Sequence, residues 1–312
     1  KVKADEKAAD DWLEKAKAEP AARDYDVRIL ADARRHLEAA RKLPAPIKDQ
    51  TSTFDSRWSE WAESYYRKST EFTTCRDVLH FAQSGIPFDH REPAEKHKPQ
   101  LEIYEKLLAE EFPFYLEEQL RLAENARSLP DTLYIKYNRL VSNIFFWHLH
   151  VMFRCMEDVK PLTKITEIGG GYGSLARLWL LTEKADIQRY VIVDLPESLF
   201  YSEVCMRAEF GDQIGYWEGR DPGTRVVLLP VGRIKEYHGK SDLVINVGSM
   251  QEMSDSWVDF YMYWLDTTAP KYFYSLNYVG QSLLHMYESR TFWAPHPSKK
   301  WTTRLIDGSV HS

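Results

Sequence analysis

The sequence predicts an α/β fold: a mostly parallel, Rossmann-like sheet with helices on both faces, preceded by an α-helical N-terminal region. After residue 164, short apolar runs alternate with helical segments, which is typical of parallel strands joined by crossover helices. The first of these runs ends in a glycine-rich loop, and residues 1–156 contain almost no strand-like run. We therefore expect a helical region over residues 1–130 and a sheet domain over residues 131–312.

Five strands are predicted in the sheet domain. They are ITEIG (165–169), YVIVDL (190–195), VVLLP (226–230), SDLVINV (241–247) and KYFYSLNY (271–278). Segments with helical patterns lie between them, as parallel pairing requires. After the fifth strand, the only strand candidate is WTTRLID (301–307).

The N-terminal region shows helical periodicity with charged faces. The predicted helices cover residues 6–19, 24–43, 54–84, 101–109 and 113–126, followed by a buried apolar helix over 133–156. The first forty residues are rich in Ala, Lys, Glu and Arg. This composition favours a surface or assembly element, so these helices are candidates for a homo-oligomer interface or a substrate cap.

Composition excludes several classes of protein. The 312 residues include 41 basic and 47 acidic side chains, a net charge of −6, so no global positive field attracts nucleic acid. No run of about 18 uncharged apolar residues occurs, and no membrane span is expected. Three scattered cysteines predict free thiols in a reducing compartment, which favours the cytoplasm. The chain begins with Lys, which we interpret as the start of a piece of a longer protein.

A glycine-rich loop with an acidic residue follows the first strand. Glu167 ends that strand, and Gly169, Gly171 and Gly173 are spaced two apart, which lets a backbone approach a ligand closely. A dinucleotide-binding loop would have glycine where Ser174 stands, and a Walker loop would contain G-K-[ST]. Because an acidic residue suits a positively charged ligand, the loop favours S-adenosylmethionine, which carries an ammonium and a sulfonium.

The second strand ends in another acidic residue. Asp194 follows Gly173 by 21 residues, and an acid in this place can accept both hydroxyls of an adenosine ribose. Its neighbour Leu195 is included in the predicted cofactor site. A tight structural turn with an exposed acid would not explain the order of strand, acidic glycine loop, helix, strand and aspartate. The order therefore predicts an S-adenosylmethionine-dependent methyltransferase.

The strings EIGGGYGSLARLW, YVIVDLPESL and DLVINVGSMQEM, with an Asn in the fifth strand, resemble the sugar O-methyltransferase family over roughly residues 130–280. The resemblance implies a class I methyltransferase fold. It also implies methyl transfer to a sugar hydroxyl of a glycan, glycoconjugate or nucleotide-sugar, as in polysaccharide biosynthesis. Two alternatives stay open: a methyltransferase of a small-molecule natural product or lipid, and an inactive methyltransferase-like scaffold module.

The loop after the fourth strand is expected at the same edge of the sheet as the cofactor. We predict Glu252 as the general base, Gln251 as a substrate contact and Asn246 as a cofactor contact. The alternative for Glu252 is a helix cap or an ion pair with a nearby arginine. His296, in FWAPHPSKKW, is a second catalytic candidate, because imidazole titrates near neutral pH.

Three further residues are predicted to bind substrate. The planar guanidinium of Arg139 suits a carboxylate, although a salt bridge to a glutamate is the alternative. Asn277 and Tyr278 lie at the end of the fifth strand, where an aromatic ring could stack on a sugar. His148 and His150 are interpreted as core histidines. No metal-ligand spacing is present, so Mg²⁺ has no support from the sequence.

Overall fold

The computed structural model describes residues 24–47, 53–85, 98–112, 122, 134–136, 139–141, 143–279, 286–295 and 301–311. The predicted helix over residues 6–19 lies outside the described residues, as does nearly all of the helix predicted over 113–126.

The described part of the N-terminal region contains four helices: α1 (Asp24–Ala40), α2 (Thr53–Glu71), α3 (Cys75–Gly85) and α4 (Lys98–Glu111). The prediction of one helix over residues 54–84 is wrong, because residues 72–74 are not helical and separate α2 from α3.

A capping box explains this break. The Asp77 N–H donates to Thr74 Oγ1, and the Thr74 N–H donates to Asp77 Oδ2, both at 3.1 Å. These reciprocal bonds satisfy backbone N–H groups at the start of α3 that have no partner within the helix.

A two-stranded antiparallel hairpin precedes the sheet, formed by β1 (Tyr134–Lys136) and β2 (Arg139–Val141). Helix α5 (Asn143–Asp158) starts only after it. The prediction of a single helix over residues 133–156 is therefore wrong in its first part, and Arg139 belongs to a strand. Where most positions are apolar, periodicity cannot separate a strand from a buried helix.

One eight-stranded sheet is the centre of the molecule. Its strands are β3 (Lys164–Ile168), β4 (Arg189–Asp194), β5 (Ile214–Tyr216), β6 (Val226–Pro230), β7 (Leu243–Val247), β8 (Tyr272–Val279), β9 (Met286–Pro295) and β10 (Trp301–His311). Their order is β10-β9-β8-β7-β3-β4-β6-β5. The six strands from β8 to β5 are parallel, and β9 and β10 add an antiparallel edge.

Helices cover both faces of this sheet. They are α6 (Ser174–Leu181) and α7 (Pro196–Phe210), which pack with α5 on one face, and α8 (Asp255–Thr268) on the other. Alternate residues of β4 point to opposite faces, as the pleat requires. Ile192 belongs to the first of these cores, and Val191 and Val193 belong to the second. The predicted α/β fold with helices on both faces is thereby confirmed.

Two strands of the eight-stranded sheet were not predicted. Strand β5 has only three residues, too few to show a hydrophobic pattern. Strand β9 contains Glu288, Ser289, Arg290 and Thr291 in succession, so it lacks the alternation of apolar and polar residues that marks a half-buried strand. The expectation of a single short strand in the tail is wrong, since β9 and β10 pair along their lengths.

The N-terminal helices are joined to the sheet domain by a shared hydrophobic core. Its members come from α1, α3 and α7, and include Ile29, Leu30, Leu37, Val78, Leu79, Phe200, Tyr201 and Val204. Because the core crosses from the helical region into the sheet domain, helix α1 is a packed structural element.

No helix in the described part of the chain is both long and apolar enough to cross a membrane. Cys75, Cys155 and Cys205 are all free thiols, and all are buried.

Candidate active site

A cavity of about 340 Å³ lies at the carboxyl ends of the parallel strands. Residues that follow β3, β4, β6 and β7 line it, together with residues of α2, α5 and α8. Strand β3 pairs with β4 on one side and with β7 on the other. The strand order therefore changes direction at β3. Open α/β sheets bind ligands at such a switch point, and the volume suits a small molecule.

The glycine loop after β3 forms one wall of this cavity. Gly169 and Gly171 have φ values of +75° and +56°, which lie in the left-handed region that disfavours a side chain. A Cβ on Gly169 would lie 2.1 Å from Ser249 Oγ, whereas a Cβ on Gly171 would meet no atom within 4 Å. Gly169 therefore allows two loops to approach each other, and Gly171 leaves open space beside its backbone.

Glu167 lies under the glycine loop and lines the cavity. Its side chain is buried, and the Tyr190 hydroxyl donates to Glu167 Oε2 at 2.8 Å. Burial raises the pKa of this carboxyl group to about 7, and the charge of Asp194 raises it further, against the hydrogen bond from Tyr190. A buried carboxyl group of this kind gains its charge most readily when a cation binds beside it.

Asp194 is the last residue of β4, and its side chain links this strand to the glycine loop. Its Oδ2 accepts the Gly171 N–H at 2.9 Å, and its Oδ1 accepts the Leu195 N–H at 2.7 Å. Burial raises its pKa to about 6, although these backbone hydrogen bonds oppose the shift. Asp194 and Leu195 both line the cavity, so the carboxyl group holds the loop and faces the ligand space.

A third carboxyl group enters the cavity from the turn after β7. Glu252 ends the 3₁₀ turn Met250–Glu252 and is half-buried. Burial raises its pKa to about 7, and the charge of Asp194 adds to the shift. No lysine or arginine is found among the lining residues that the structure describes. The cavity therefore favours a cationic ligand.

Of three predicted contact residues, Gln251 lies in the turn that carries Glu252, and Asn246 and Asn277 hold that turn. Asn246 is fully buried, its Nδ2 donates to the Ile168 carbonyl, and its Oδ1 accepts from Asn277 Nδ2, both at 2.9 Å. Asn277 Oδ1 in turn accepts the Gln251 N–H at 3.2 Å. None of Asn246, Gln251 and Asn277 is among the described residues of the cavity wall. Their contacts instead hold the turn in place.

His148 lies in the cavity wall, although the sequence suggested a core position. Its Nδ1 is 3.1 Å from Ser174 Oγ, and its ring stacks on Trp147 with centroids 5.7 Å apart. Burial lowers its pKa to about 3, so the imidazole is neutral at physiological pH. The second histidine of this helix, His150, is buried and contacts Glu111 Oε2 at 2.9 Å. A single sequence gives no signal that distinguishes the two.

Aromatic residues that sequence reasoning missed line the rest of the cavity. Trp61 and Tyr65 come from α2 in the N-terminal region, and Trp257 and Tyr261 come from α8. These positions are far apart in sequence, and only the packing of α2 over the sheet edge brings them together.

The structure does not test the remaining predicted site residues. His296 and the side chains of Arg139 and Tyr278 are outside the described residues. Within the part of the chain that the structure describes, no group of three or more His, Cys, Asp and Glu side chains is arranged to hold a metal ion.

Comparisons with known proteins give a similarity of fold. No family model matches the chain, and no curated protein matches it. Among solved structures, the chain is similar to the methyltransferase domain of bacterial CtHen1-CN, with 16% identity over 42% of this chain and 64% of that one, and a TM-score of 0.32. It is also similar to the small RNA methyltransferase HEN1 and to a Podospora anserina methyltransferase bound to S-adenosylhomocysteine.

The match to HEN1 has 16% identity over 42% of this chain and a TM-score of 0.33. The Podospora match has 13% identity over 74% of this chain and 73% of that one, with a TM-score of 0.31. The chain spans less than two thirds of the first two structures, and only 16% of HEN1. Similarity this low assigns neither a family nor a substrate. The six parallel strands, with the glycine loop after β3 and an acidic residue at the end of β4, form a Rossmann-like fold.

Proposed function

We propose that this chain is an S-adenosylmethionine-dependent methyltransferase. The observation that carries the proposal is the convergence of Glu167 and Asp194 beside the open backbone of Gly171, at the carboxyl edge of the sheet. The cofactor has a sulfonium and an ammonium group, and buried carboxylates stabilise such charges more strongly than exposed ones. The residues present therefore fit this cofactor.

Each residue of the loop has a distinct role in this proposal. Glu167 supplies negative charge for the ammonium group, and Asp194 accepts hydrogen bonds from the ribose hydroxyls. The left-handed backbone at Gly171 keeps the space beside the loop free of side chains. When bound, the cofactor supplies an activated methyl group, so the protein has to orient the acceptor and remove a proton.

Glu252 is the proposed general base. It lines the same cavity as the two cofactor carboxyl groups, and its pKa of about 7 suits proton transfer at neutral pH. Its carboxylate would take the proton from the acceptor hydroxyl, while the cofactor would supply the methyl group and leave as S-adenosylhomocysteine. His148, whose Nδ1 lies 3.1 Å from Ser174 Oγ, would orient the acceptor through a hydrogen bond.

We propose a sugar hydroxyl as the acceptor group. The family resemblance of residues 130–280 suggests it, and the aromatic walls support it, because indole and phenol rings pack well on the apolar faces of sugars. A small-molecule natural product or a lipid would use the same catalytic residues. The net charge of −6 and the reduced cysteines support action in the cytoplasm without a nucleic-acid partner.

Calorimetric titration of the chain with S-adenosylhomocysteine tests the function, once with Mg²⁺ and once with a chelator. We expect micromolar binding that is equal in both conditions. If binding required Mg²⁺, a metal ion would take the role in proton removal that is proposed here for Glu252. Absence of binding from a folded sample in both conditions would contradict the methyltransferase proposal and favour a scaffold module.

A further inference from the structure

Helix α2 presents one face to the cavity, although it belongs to the N-terminal region. Ser59, Ala62 and Tyr65 are spaced three apart, and Trp61 lies four residues before Tyr65. Residues three and four apart lie on the same side of a helix. The part of the described cavity wall that α2 supplies is therefore one face of a helix.

Two aromatic side chains on this face line the cavity. Tyr65 packs against core rings, with its centroid 5.8 Å from Tyr201 and 6.1 Å from Phe81. Trp61 keeps 41% of its surface exposed at the cavity. A large indole that is covered only in part leaves apolar area for a ligand ring to bury.

Arg41, in the chain just after α1, fixes the position of α2. Its guanidinium contacts Glu63 at 2.9 Å and Glu197 at 3.3 Å. It also lies over the Tyr66 ring, 3.6 Å from the centroid. Because Glu63 and Tyr66 belong to α2 and Glu197 belongs to α7, this arginine ties α2 to the sheet domain. The face that carries Trp61 is preformed.

The charge of the cavity limits what can bind against this face. Glu167, Asp194 and Glu252 all line the cavity, and the lining residues that the structure describes include no lysine or arginine to balance them. The cofactor's own carboxylate is balanced by its ammonium group, whereas a phosphate or carboxylate on the acceptor would bring unbalanced negative charge into a partly desolvated space, which is strongly unfavourable.

We infer that the face of α2 formed by Ser59, Trp61, Ala62 and Tyr65 is the acceptor subsite, and that it selects a ring without negative charge. The acceptor is then a neutral glycoside or a similar uncharged ring, and a nucleotide-sugar is excluded. This inference rests on the proposed function, since the subsite lines the same cavity as the proposed cofactor loop.

A pair of probes that differ in one charge tests this inference: phenyl β-glucoside, which is neutral, and phenyl β-glucuronide, in which a carboxylate replaces the hydroxymethyl group. Each is titrated into the full chain, with and without saturating S-adenosylhomocysteine, and tryptophan fluorescence is followed. We expect the glucoside to bind at least roughly 10-fold more tightly than the glucuronide. Equal or tighter binding of the glucuronide, or no binding of the glucoside, overturns the inference.

The variant Trp61→Ala tests the position of the subsite. We expect it to weaken glucoside binding roughly 10-fold, through loss of the stacking ring, and to leave the affinity for S-adenosylhomocysteine unchanged. The matched control is Tyr263→Ala in α8, whose ring is 71% exposed and lies away from the cavity wall. Unchanged glucoside binding in Trp61→Ala contradicts the subsite. If the unmodified chain does not bind S-adenosylhomocysteine, the proposed function itself is contradicted. Failure of the subsite and failure of the proposed function are therefore distinguishable.

Discussion

Burial changes what the three carboxyl groups of the cavity can do. The pKa values of Glu167 and Glu252 rise to about 7 and that of Asp194 to about 6, so each group titrates near neutral pH. A cation that enters the cavity favours their charged forms and releases protons. The same residues, exposed on a surface, would be permanently charged and less suited to accept a proton.

At the residue scale, Glu252→Gln is expected to reduce methyl transfer about 100-fold or more, because the amide cannot take a proton. Cofactor affinity is expected to stay the same. In the unmodified enzyme, kcat/KM should rise with pH through about 7 as Glu252 loses its proton, and this limb should disappear in the variant. The measurement is a pH profile of transfer rates, with Asp259→Asn on the exposed side of α8 as the control. An unchanged rate in Glu252→Gln would remove it from the role of base.

Asp194→Ala is expected to weaken cofactor binding by about 1–3 kcal/mol, through lost hydrogen bonds to the ribose. Part of the effect comes from the protein itself, because the Gly171 N–H loses its acceptor. Calorimetry with S-adenosylhomocysteine measures the change, and Asp212→Ala at an exposed position is the control. If the two variants bind equally well, Asp194 does not contact the cofactor.

The sequence predicted those site residues that stand at strand ends. Glu167, Gly171 and Asp194 line the cavity, and the sequence could locate them there because parallel strands end at one edge of the sheet, which a motif marks. His148 and Trp61 were not found, since tertiary packing alone brings their helices to the cavity. Asn246 is the intermediate case: the sequence located its loop, and the structure shows its side chain bonded to the Ile168 carbonyl, to the Met250 N–H and to the side chain of Asn277.

At the element scale, strands and helices were predicted well where local pattern and tertiary environment agree. The strand VVLLP matches β6 residue for residue, because a short apolar run between polar segments fits a central parallel strand. The apolar run over residues 133–156 was misread, since its first part pairs as a hairpin through contacts that hydrophobicity does not encode. The start of α3 was encoded in the T-x-x-D string at 74–77, a signal that was overlooked.

Thr74→Ala is expected to destabilise the protein by about 1 kcal/mol, because the first turn of α3 loses its side-chain cap. The matched control is Thr70→Ala near the end of α2, where the hydroxyl donates to the Arg67 carbonyl within the helix. This control should be nearly neutral, since alanine has the higher helix propensity. Chemical denaturation measures both free energies of unfolding. Equal stability of the two variants would show that the capping box does not define the start of α3.

At the scale of the whole molecule, the N-terminal helices and the sheet domain share one core. The cluster formed by α1, α3 and α7 crosses the boundary that composition suggested near residue 130. Composition detected the change from helical to strand-like pattern, but it could not show which apolar faces meet. We therefore expect the two parts to unfold together.

Leu37→Ala in α1 tests this cooperativity. Leu37 is only 2% exposed and lies in the shared core, so its truncation is expected to cost about 2–5 kcal/mol. The whole transition should shift, whether it is followed by tryptophan fluorescence or by circular dichroism. Val27→Ala in the same helix is the control, because Val27 is 56% exposed. Separate transitions for helices and sheet would contradict a shared core.

The central claim is that the glycine loop of the described cavity binds the methyl donor. A paired calorimetric titration with S-adenosylhomocysteine of Gly171→Arg and Gly223→Arg tests it most directly. Both glycines have positive φ, and a Cβ on either would meet no atom within 4 Å, so the two substitutions impose similar backbone strain. Of these two glycines, only Gly171 is part of the described cavity wall. We expect Gly171→Arg to lose binding and Gly223→Arg to keep the affinity of the unmodified chain, whereas normal affinity in a folded Gly171→Arg variant would contradict the account.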